Sequence, residues 1–260
     1  MQKIMAMLPC YNEEPNVKPL VEKWLSLKKP FEERGYELSV LCIDDCSTDG
    51  TVFQCEEMRR LHPGDVDLVK HPRNKGLGGA LTTAFTSFAQ RGASGDLCVL
   101  MDGDNTHDPV YALEMLDKIQ TGCDCVIASR YSKGSETKGV SRLRLFLSDG
   151  ARWFYTALLR VPNVRDYTCG YRMYTYDLIA KALSVYGDGL VERRSFACMM
   201  EALYKLSLLG ARFGEVPFAL RYDHKQGESK MRVLKTISES IGAAFSLRLH
   251  NPIQKKEEAL

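Results

Sequence analysis

Two carboxylates stand two residues apart in Asp102-Gly103-Asp104, directly after the apolar run Leu97 to Met101. Their spacing suits Mg2+ or Mn2+, hard cations that take one or two protein carboxylates and complete their shell with substrate phosphates and water. Such an ion offsets the charge that grows on a departing nucleotide diphosphate. The same spacing is common in plain turns and helix caps. What favours chemistry here is its delivery by so apolar a run.

A second acidic group, Asp44-Asp45-Cys46-Ser47-Thr48-Asp49-Gly50-Thr51, follows the apolar run Leu38 to Ile43. Ser47, Thr48 or Asp49 can cap the next helix, and Gly50 suits the turn. Asp44 and Asp45 exceed what capping needs. Adjacent carboxylates repel unless donors or a cation offset them, so they point to a base, a ribose or a metal-linked group. Leu8-Pro9-Cys10-Tyr11-Asn12-Glu13-Glu14-Pro15 adds an aromatic ring and acceptors suited to a nucleobase. Gly76-Leu77-Gly78-Gly79-Ala80 is no dinucleotide fingerprint, because the third glycine of GxGxxG would fall at Leu81 and no Walker Lys-Ser/Thr follows. A tight helix start fits it better.

Downstream lies a basic series: Arg130, Lys133, Arg142, Arg144, Arg152, Arg165, Arg172, Arg221, Lys225 and Lys230. On a helix, Arg144, Ser148 and Arg152 are successive i, i+4 positions and share one face. Basic helix residues are commonly just solvated. Following the acidic region, these suggest phosphate binding from the opposite side.

The elements that must position these groups alternate. Ile4 to Leu8 reads as a strand, Val17 to Leu27 as a helix, Leu38 to Ile43 as a strand and Thr51 to Leu61 as a helix. A strand at Val66 to Val69, a helix at Leu77 to Ala89 and strands at Leu97 to Met101 and Val126 to Ser129 follow. That order predicts an α/β fold with a mostly parallel central sheet flanked by helices. Ligands of such sheets bind outside the strands' carboxyl ends, so Pro9 to Glu14, Asp44 to Asp49 and Asp102 to His107 should border one crevice. Arg130 to Val140 reads as loop, Leu143 to Leu159 and Ser195 to Leu208 as helices, and Phe213 to Arg221 as strand. Residues 1–231 form the expected main domain. Residues 232–260 are read as an amphipathic helix, Arg232 to Leu249, with a charged tail.

The bulk numbers narrow the class. The chain has 260 residues, 45% of them hydrophobic, which is enough for one sizeable core. A formal net charge of +2 leaves no whole-protein field for nucleic acid, so phosphates must be met by local clusters. Nine cysteines, an odd number, and a start without a signal peptide's apolar stretch suggest a reducing, cytoplasmic setting. Neither Cys42/Cys46 nor Cys123/Cys125 has zinc-site CxxC spacing. No run approaches the ~18 to 20 apolar residues that span a bilayer.

Taken in order, these motifs resemble family 2 glycosyltransferases, and within them the dolichyl-phosphate mannosyltransferase-like group. Its carriers run from Pro9-Cys10-Tyr11-Asn12-Glu13 through Asp44 to Thr51, Asp102-Gly103-Asp104, Ser129-Arg130-Tyr131 and Arg144 with Ser148. They continue with Asp166-Tyr167-Thr168-Cys169-Gly170-Tyr171-Arg172, Glu215-Val216-Pro217 and Gly227-Glu228-Ser229-Lys230. The resemblance implies the GT-A fold and an inverting transfer of a hexose, mannose or glucose in type. The donor would be a GDP- or UDP-sugar and the acceptor a polyprenyl or dolichyl phosphate.

By this likeness Pro9, Tyr11, Glu13 and Asp44 or Asp45 hold the nucleoside, and Asp102 and Asp104 hold the metal. Arg130, Arg144 and Ser148 hold the acceptor phosphate, and Ser229 and Lys230 lie on a mobile loop over the donor diphosphate. Thr106 stands where the family often has Gln as a further metal-side ligand. His224 stands where it often has Arg, which leaves Arg221 or Lys225 to supply that charge. A lipid phosphate needs no strong base, its second pKa being about 6. The alternative, a family 2 enzyme acting on a sugar or other hydroxyl, needs one, and Asp166 is its candidate. A sugar nucleotidyltransferase lacks support, since no Gly-rich, Arg-containing loop follows the first strand. Intact Asp102 and Asp104 argue against a non-catalytic binding subunit. A lipid acceptor without a spanning segment implies a protein lying on the cytoplasmic membrane face, by Leu143 to Leu159 and Arg232 to Leu249 or through a small membrane-embedded partner.

Overall fold

The computed structural model describes residues 1–139, 142–221 and 233–249, with side chains described throughout these except at 138, 142–146, 221 and 233–238. Its first half follows the alternating pattern. Strand β1 (Gln2–Cys10) leads into α1 (Glu14–Leu25), whose Val17, Leu20, Val21 and Trp24 recur at helical spacing and are all buried. A short α2 (Lys28–Glu32), β2 (Tyr36–Asp44), α3 (Thr51–Leu61), β3 (Val66–Lys70), α4 (Gly76–Arg91) and β4 (Leu97–Leu100) follow. Fully buried runs such as Leu97–Leu100 are what strands covered on both faces require.

After β4 come α5 (Tyr111–Gln120), β5 (Cys125–Ser129), β6 (Glu136–Lys138), α6 (Arg142–Leu159), β7 (Arg172–Thr175) and α7 (Tyr176–Tyr186). A 3-10 turn (Gly187–Leu190), α8 (Ala197–Leu208), β8 (Phe213–Pro217), β9 (Ala219–Arg221) and α9 (Val233–Leu249) complete the order. Seven strands form one sheet in the order β3-β2-β1-β4-β7-β5-β8. The expected parallel pairing holds for β1 with β2 and β4, β2 with β3, and β5 with β8.

Two features depart from the expectation. Strand β7 inserts antiparallel between β4 and β5; with four residues it is too short to show a period in the sequence. The stretch read as one strand, Phe213 to Arg221, is two: β8 pairs with β5 as far as Pro217, which brings no N–H to a ladder, and β9 pairs with β6 inside the expected loop.

The order places β1 centrally, so its carboxyl end lies between those of β2 and β4. Beside the carboxyl end of β4, where it pairs with Leu100, Arg172 is fully buried on β7 and donates to the carbonyls of Met199 (2.7 Å) and Tyr167 (2.8 Å). This arginine, expected in the phosphate-binding series, instead ties β7 to α8 and to the loop before it. Helix α9 packs on α6 and α8 with Ser240, Ala243, Ala244 and Leu247 buried, and Phe154 meets Phe245 at 5.7 Å. Among the described residues no helix is long and apolar enough to cross a membrane.

The Gly-rich turn is a tight helix start, as expected, and it also receives a neighbouring segment. A Cβ on Gly78 would lie 1.8 Å from the Arg193 carbonyl oxygen, and Gly76 adopts φ +75 against Arg194. That segment is anchored in turn: Glu201 accepts from the Glu192 and Arg193 N–H groups, and buried Lys205 donates to Glu201 (2.7 Å) and to the Gly189 carbonyl (2.6 Å). Gly78→Ala should therefore force backbone apart and lower stability by about 1 to 3 kcal/mol in urea unfolding. A wild-type midpoint would show that the two segments do not need this contact.

Candidate active site

The three expected loops are joined by hydrogen bonds at one edge of the sheet. The Asn12 N–H donates to Ser47 Oγ (2.9 Å), and the Thr48 N–H donates to Asn12 Oδ1 (2.8 Å). The Gly103 N–H donates to the Pro9 carbonyl (3.2 Å), and a Cβ there would meet that oxygen at 2.8 Å and Cys10 Sγ at 2.9 Å. Glycine between Asp102 and Asp104 is thus what lets the acidic loop lie against the end of β1. Tyr11 is 40% exposed, as a stacking surface must be, while Glu13 is buried and accepts from Asn16 Nδ2 (2.7 Å). Ser47 and Thr48 therefore serve Asn12 rather than the helix start; of the expected caps only Asp49 bonds the first turn, at the Thr51 N–H (3.0 Å).

The paired aspartates divide their labour. Asp45 Oδ1 lies 2.7 Å from His71 Nδ1 and accepts from the Lys75 N–H (2.7 Å), and Oδ2 accepts from the Gly76 N–H (2.8 Å). Both oxygens hold the start of α4. Asp44 ends β2, and among the described residues its carboxylate accepts only from the Ser47 N–H, at 3.4 and 3.2 Å. In the DxD loop Asp104 Oδ1 accepts from the Thr106 hydroxyl (2.7 Å) and N–H (3.2 Å). Thr106 thereby orients the Asp104 carboxylate. Among the described residues no cluster of three or more His, Cys, Asp or Glu forms a protein-only metal cage. Two carboxylates, with phosphates and water to complete the shell, are a donor set that fits Mg2+ or Mn2+.

Across the site stands Arg130, just past β5. Its Nε and Nη2 donate to the two oxygens of fully buried Asp166 (2.8 and 2.6 Å), its N–H adds a third bond (3.1 Å), and Nη2 also reaches Thr168 Oγ1 (2.6 Å). Asp166 further accepts from the Thr168 and Cys169 N–H groups (3.3 and 3.0 Å). Burial alone would raise its pKa, but the Arg130 charge and these bonds hold it below the ordinary carboxylate range. Glu215 on β8 accepts from the Arg165 and Asp166 N–H groups (2.6 and 2.9 Å), and burial pushes its own pKa up. Gly170 closes the loop against the metal side: a Cβ there would lie 2.9 Å from Asp102 Oδ1.

The sequence pattern of Glycosyl transferase family 2 matches residues 6–183, more than half of the chain. The chain belongs to that family. It is 29% identical over 231 residues to polyprenol monophosphomannose synthase of Mycolicibacterium smegmatis, covering 88% of this chain and 81% of the relative. It is 28% identical over 247 residues to dolichol-phosphate mannosyltransferase of Pyrococcus furiosus, covering 94% of this chain and 63% of that longer protein. Its fold matches glucosyl-3-phosphoglycerate synthase of Mycobacterium tuberculosis in complex with Mn2+ and UDP-glucose, with TM-score 0.65, 18% identity, 95% of this chain and 79% of the other covered. The fold is GT-A.

For a family 2 glycosyltransferase, the structure sorts the expected residues into three groups. Pro9, Tyr11, Glu13, Asp44, Asp102 and Asp104 come together at the carboxyl ends of β1, β2 and β4, and the loop that runs from Asp166, the partner of Arg130, reaches Asp102 at Gly170. Asp45 and Asp166 come to the same edge, but their oxygens are occupied. Asp45 is a helix anchor, and Asp166, the candidate base for a hydroxyl acceptor, is a poor proton acceptor because Arg130 keeps it ionised. Ser148 is partly exposed on α6, whereas the side chains of Arg144 and Arg221 and the whole of Ser229 and Lys230 lie outside the described residues. Glu215 was visible only as part of a motif. Its signal is a carboxylate within the otherwise uncharged strand Phe213–Pro217.

Replacing Asp166 by Ala should cost about 3 kcal/mol, the low end for breaking a buried pair, because Arg130 keeps 21% of its side-chain exposure. The lowered pKa sets the sign: this stabilisation is present at neutral pH and is lost as pH falls through the folded-state value, below the usual carboxylate range. Urea unfolding of wild type and Asp166→Ala at pH 7 and pH 3 checks both, and the gap between the two should narrow at the lower pH.

Proposed function

We propose that this glycosyltransferase moves a hexose from a nucleotide-sugar to a polyprenyl phosphate, dolichyl phosphate included, with inversion at the anomeric carbon. The observation that carries the reading is the state of Asp166. A hydroxyl acceptor needs a base, and the carboxylate best placed for it is saturated by Arg130 and backbone donors. A phosphate acceptor arrives already ionised and needs only alignment and charge. The names of the similar proteins, a polyprenol monophosphomannose synthase and a dolichol-phosphate mannosyltransferase, support the same acceptor class.

In this reading Tyr11, Glu13 and Asp44 hold the nucleoside, GDP or UDP. Asp102 and Asp104 hold a divalent cation, whose charge stabilises the leaving diphosphate. Arg130, Arg144 and Ser148 present the acceptor phosphate, and Arg221, Ser229 and Lys230 serve the donor diphosphate. Trp153 (68% exposed), Ile241, Phe245 and Leu249 (75%) on the packed pair α6 and α9 form an apolar surface suited to a membrane or to a small membrane-embedded partner.

Three measurements test this reading. Asp104→Ala, or EDTA with wild type, should abolish transfer while the thermal midpoint stays near wild type; full activity of Asp104→Ala in EDTA would remove the metal from the mechanism. Arg144→Ala should raise the acceptor KM far more than the donor KM, and equal effects on both would return Arg144 to an ordinary surface. Liposome flotation should recover the protein with anionic vesicles at low salt and less of it at high salt, since each surface Lys or Arg contributes only about 1 kcal/mol. A protein that never floats and glycosylates a water-soluble hydroxyl acceptor would sink the lipid-phosphate assignment.

A further inference from the structure

Two guanidinium groups share the ring of Tyr131. Arg130 Cζ lies 5.6 Å from its centroid and Arg152 Cζ 4.6 Å. The two cations differ in what neutralises them. Arg130 is matched by Asp166, bond for bond. Among the described residues no carboxylate forms an ion pair with Arg152, and its buried Nε has no hydrogen-bond partner there. Contact with Tyr131, and with the Trp153 ring at 5.2 Å, holds the guanidinium in place without satisfying that donor.

A buried, unmatched donor on a permanent cation beside a second guanidinium costs free energy until an anion arrives. The face it occupies is the one already implicated. Ser148 precedes Arg152 by one helical turn on α6 and is itself partly exposed, and Tyr131 directly follows Arg130. A planar fork of N–H groups matches the oxygens of a phosphate monoester, which carries roughly −1.5 to −2 charges at neutral pH. We infer that Arg152 binds the phosphate of the acceptor together with Arg130, with Tyr131 as the platform that sets the two guanidinium groups. The assignment rests on the phosphate-acceptor reading and adds to it one specific member of the basic series.

Initial rates of wild type, Arg152→Gln, Arg152→Lys and Tyr131→Leu test it, with citronellyl phosphate and glycerol 3-phosphate as water-soluble acceptors. Arg152→Gln should raise the acceptor KM about tenfold or more, the loss of one charge-assisted hydrogen bond, and leave the donor KM within about twofold. Arg152→Lys, which keeps charge without the fork, should fall between, and Tyr131→Leu should follow Arg152→Gln in direction. An unchanged acceptor KM in Arg152→Gln, or donor and acceptor KM raised alike, overturns the role of Arg152 while the phosphate reading stands. Wild type that refuses both phosphates and glycosylates a sugar hydroxyl overturns both together. Turnover of the prenyl phosphate alone assigns a lipid source to the anion, and turnover of glycerol 3-phosphate a soluble one.

Discussion

A guanidinium and a carboxylate held together largely out of water organise the whole site. Arg130 and Asp166 come from chain segments 36 residues apart, and their contact fixes more than each other. Asp166 collects the N–H groups of Thr168 and Cys169, so it shapes the loop that ends with Gly170 against Asp102. One loop therefore touches the cationic side through Asp166 and the metal side through Gly170. Burying two charges costs several kcal/mol, and only the number of bonds made here offsets that. Such a pair adds little net stability, but it sets one orientation of Arg130 relative to the carboxylates of the DxD loop.

The acidic side is built on a different constraint, close approach of backbone. Central β1 has β2 and β4 as neighbours, so their three following loops must pack with hardly any space between them. Gly103 meets this need by lacking a side chain, and Asn12 by adopting φ +55 while bonding Ser47 and Thr48. Asp45 spends its charge on the start of α4, which leaves Asp44 beside it as the carboxylate suited to a ligand. Preorganisation of this kind lowers the ordering cost of binding, because the groups proposed to meet the nucleotide are already held by one another.

Much of this was legible in the residues, for physical reasons. Runs such as Leu97 to Leu100 must be buried strands because nothing polar interrupts them, and their polar successors must then stand at the strand ends. The order of the motifs carried the family. What stayed hidden were contacts made over long sequence distance. Nothing local marks Asp45 as an anchor and Asp44 as available, because that depends on where residues 71 to 76 return. The short β7, the break at Pro217 and the pairing of β6 with β9 are also set by partners, since three or four residues carry no period of their own.

The chain by itself determined the α/β class, the meeting of three loops at the strand ends and the kinds of atoms gathered there, because burial period and residue chemistry are local properties. Only the tertiary structure decided which charges are spent and which remain. Asp166 reads as a base in the sequence and becomes the counter-ion of Arg130 in the fold; Arg172 reads as a phosphate ligand and becomes a buried strut for backbone carbonyls. Arg152 reads as one of a basic series, either solvated or phosphate-binding, and in the fold it lies on Tyr131 with a buried Nε that has no hydrogen-bond partner among the described residues. The reason is the same in each case: a charged group's role is set by its partners and its access to water, and both are fixed by packing between distant segments.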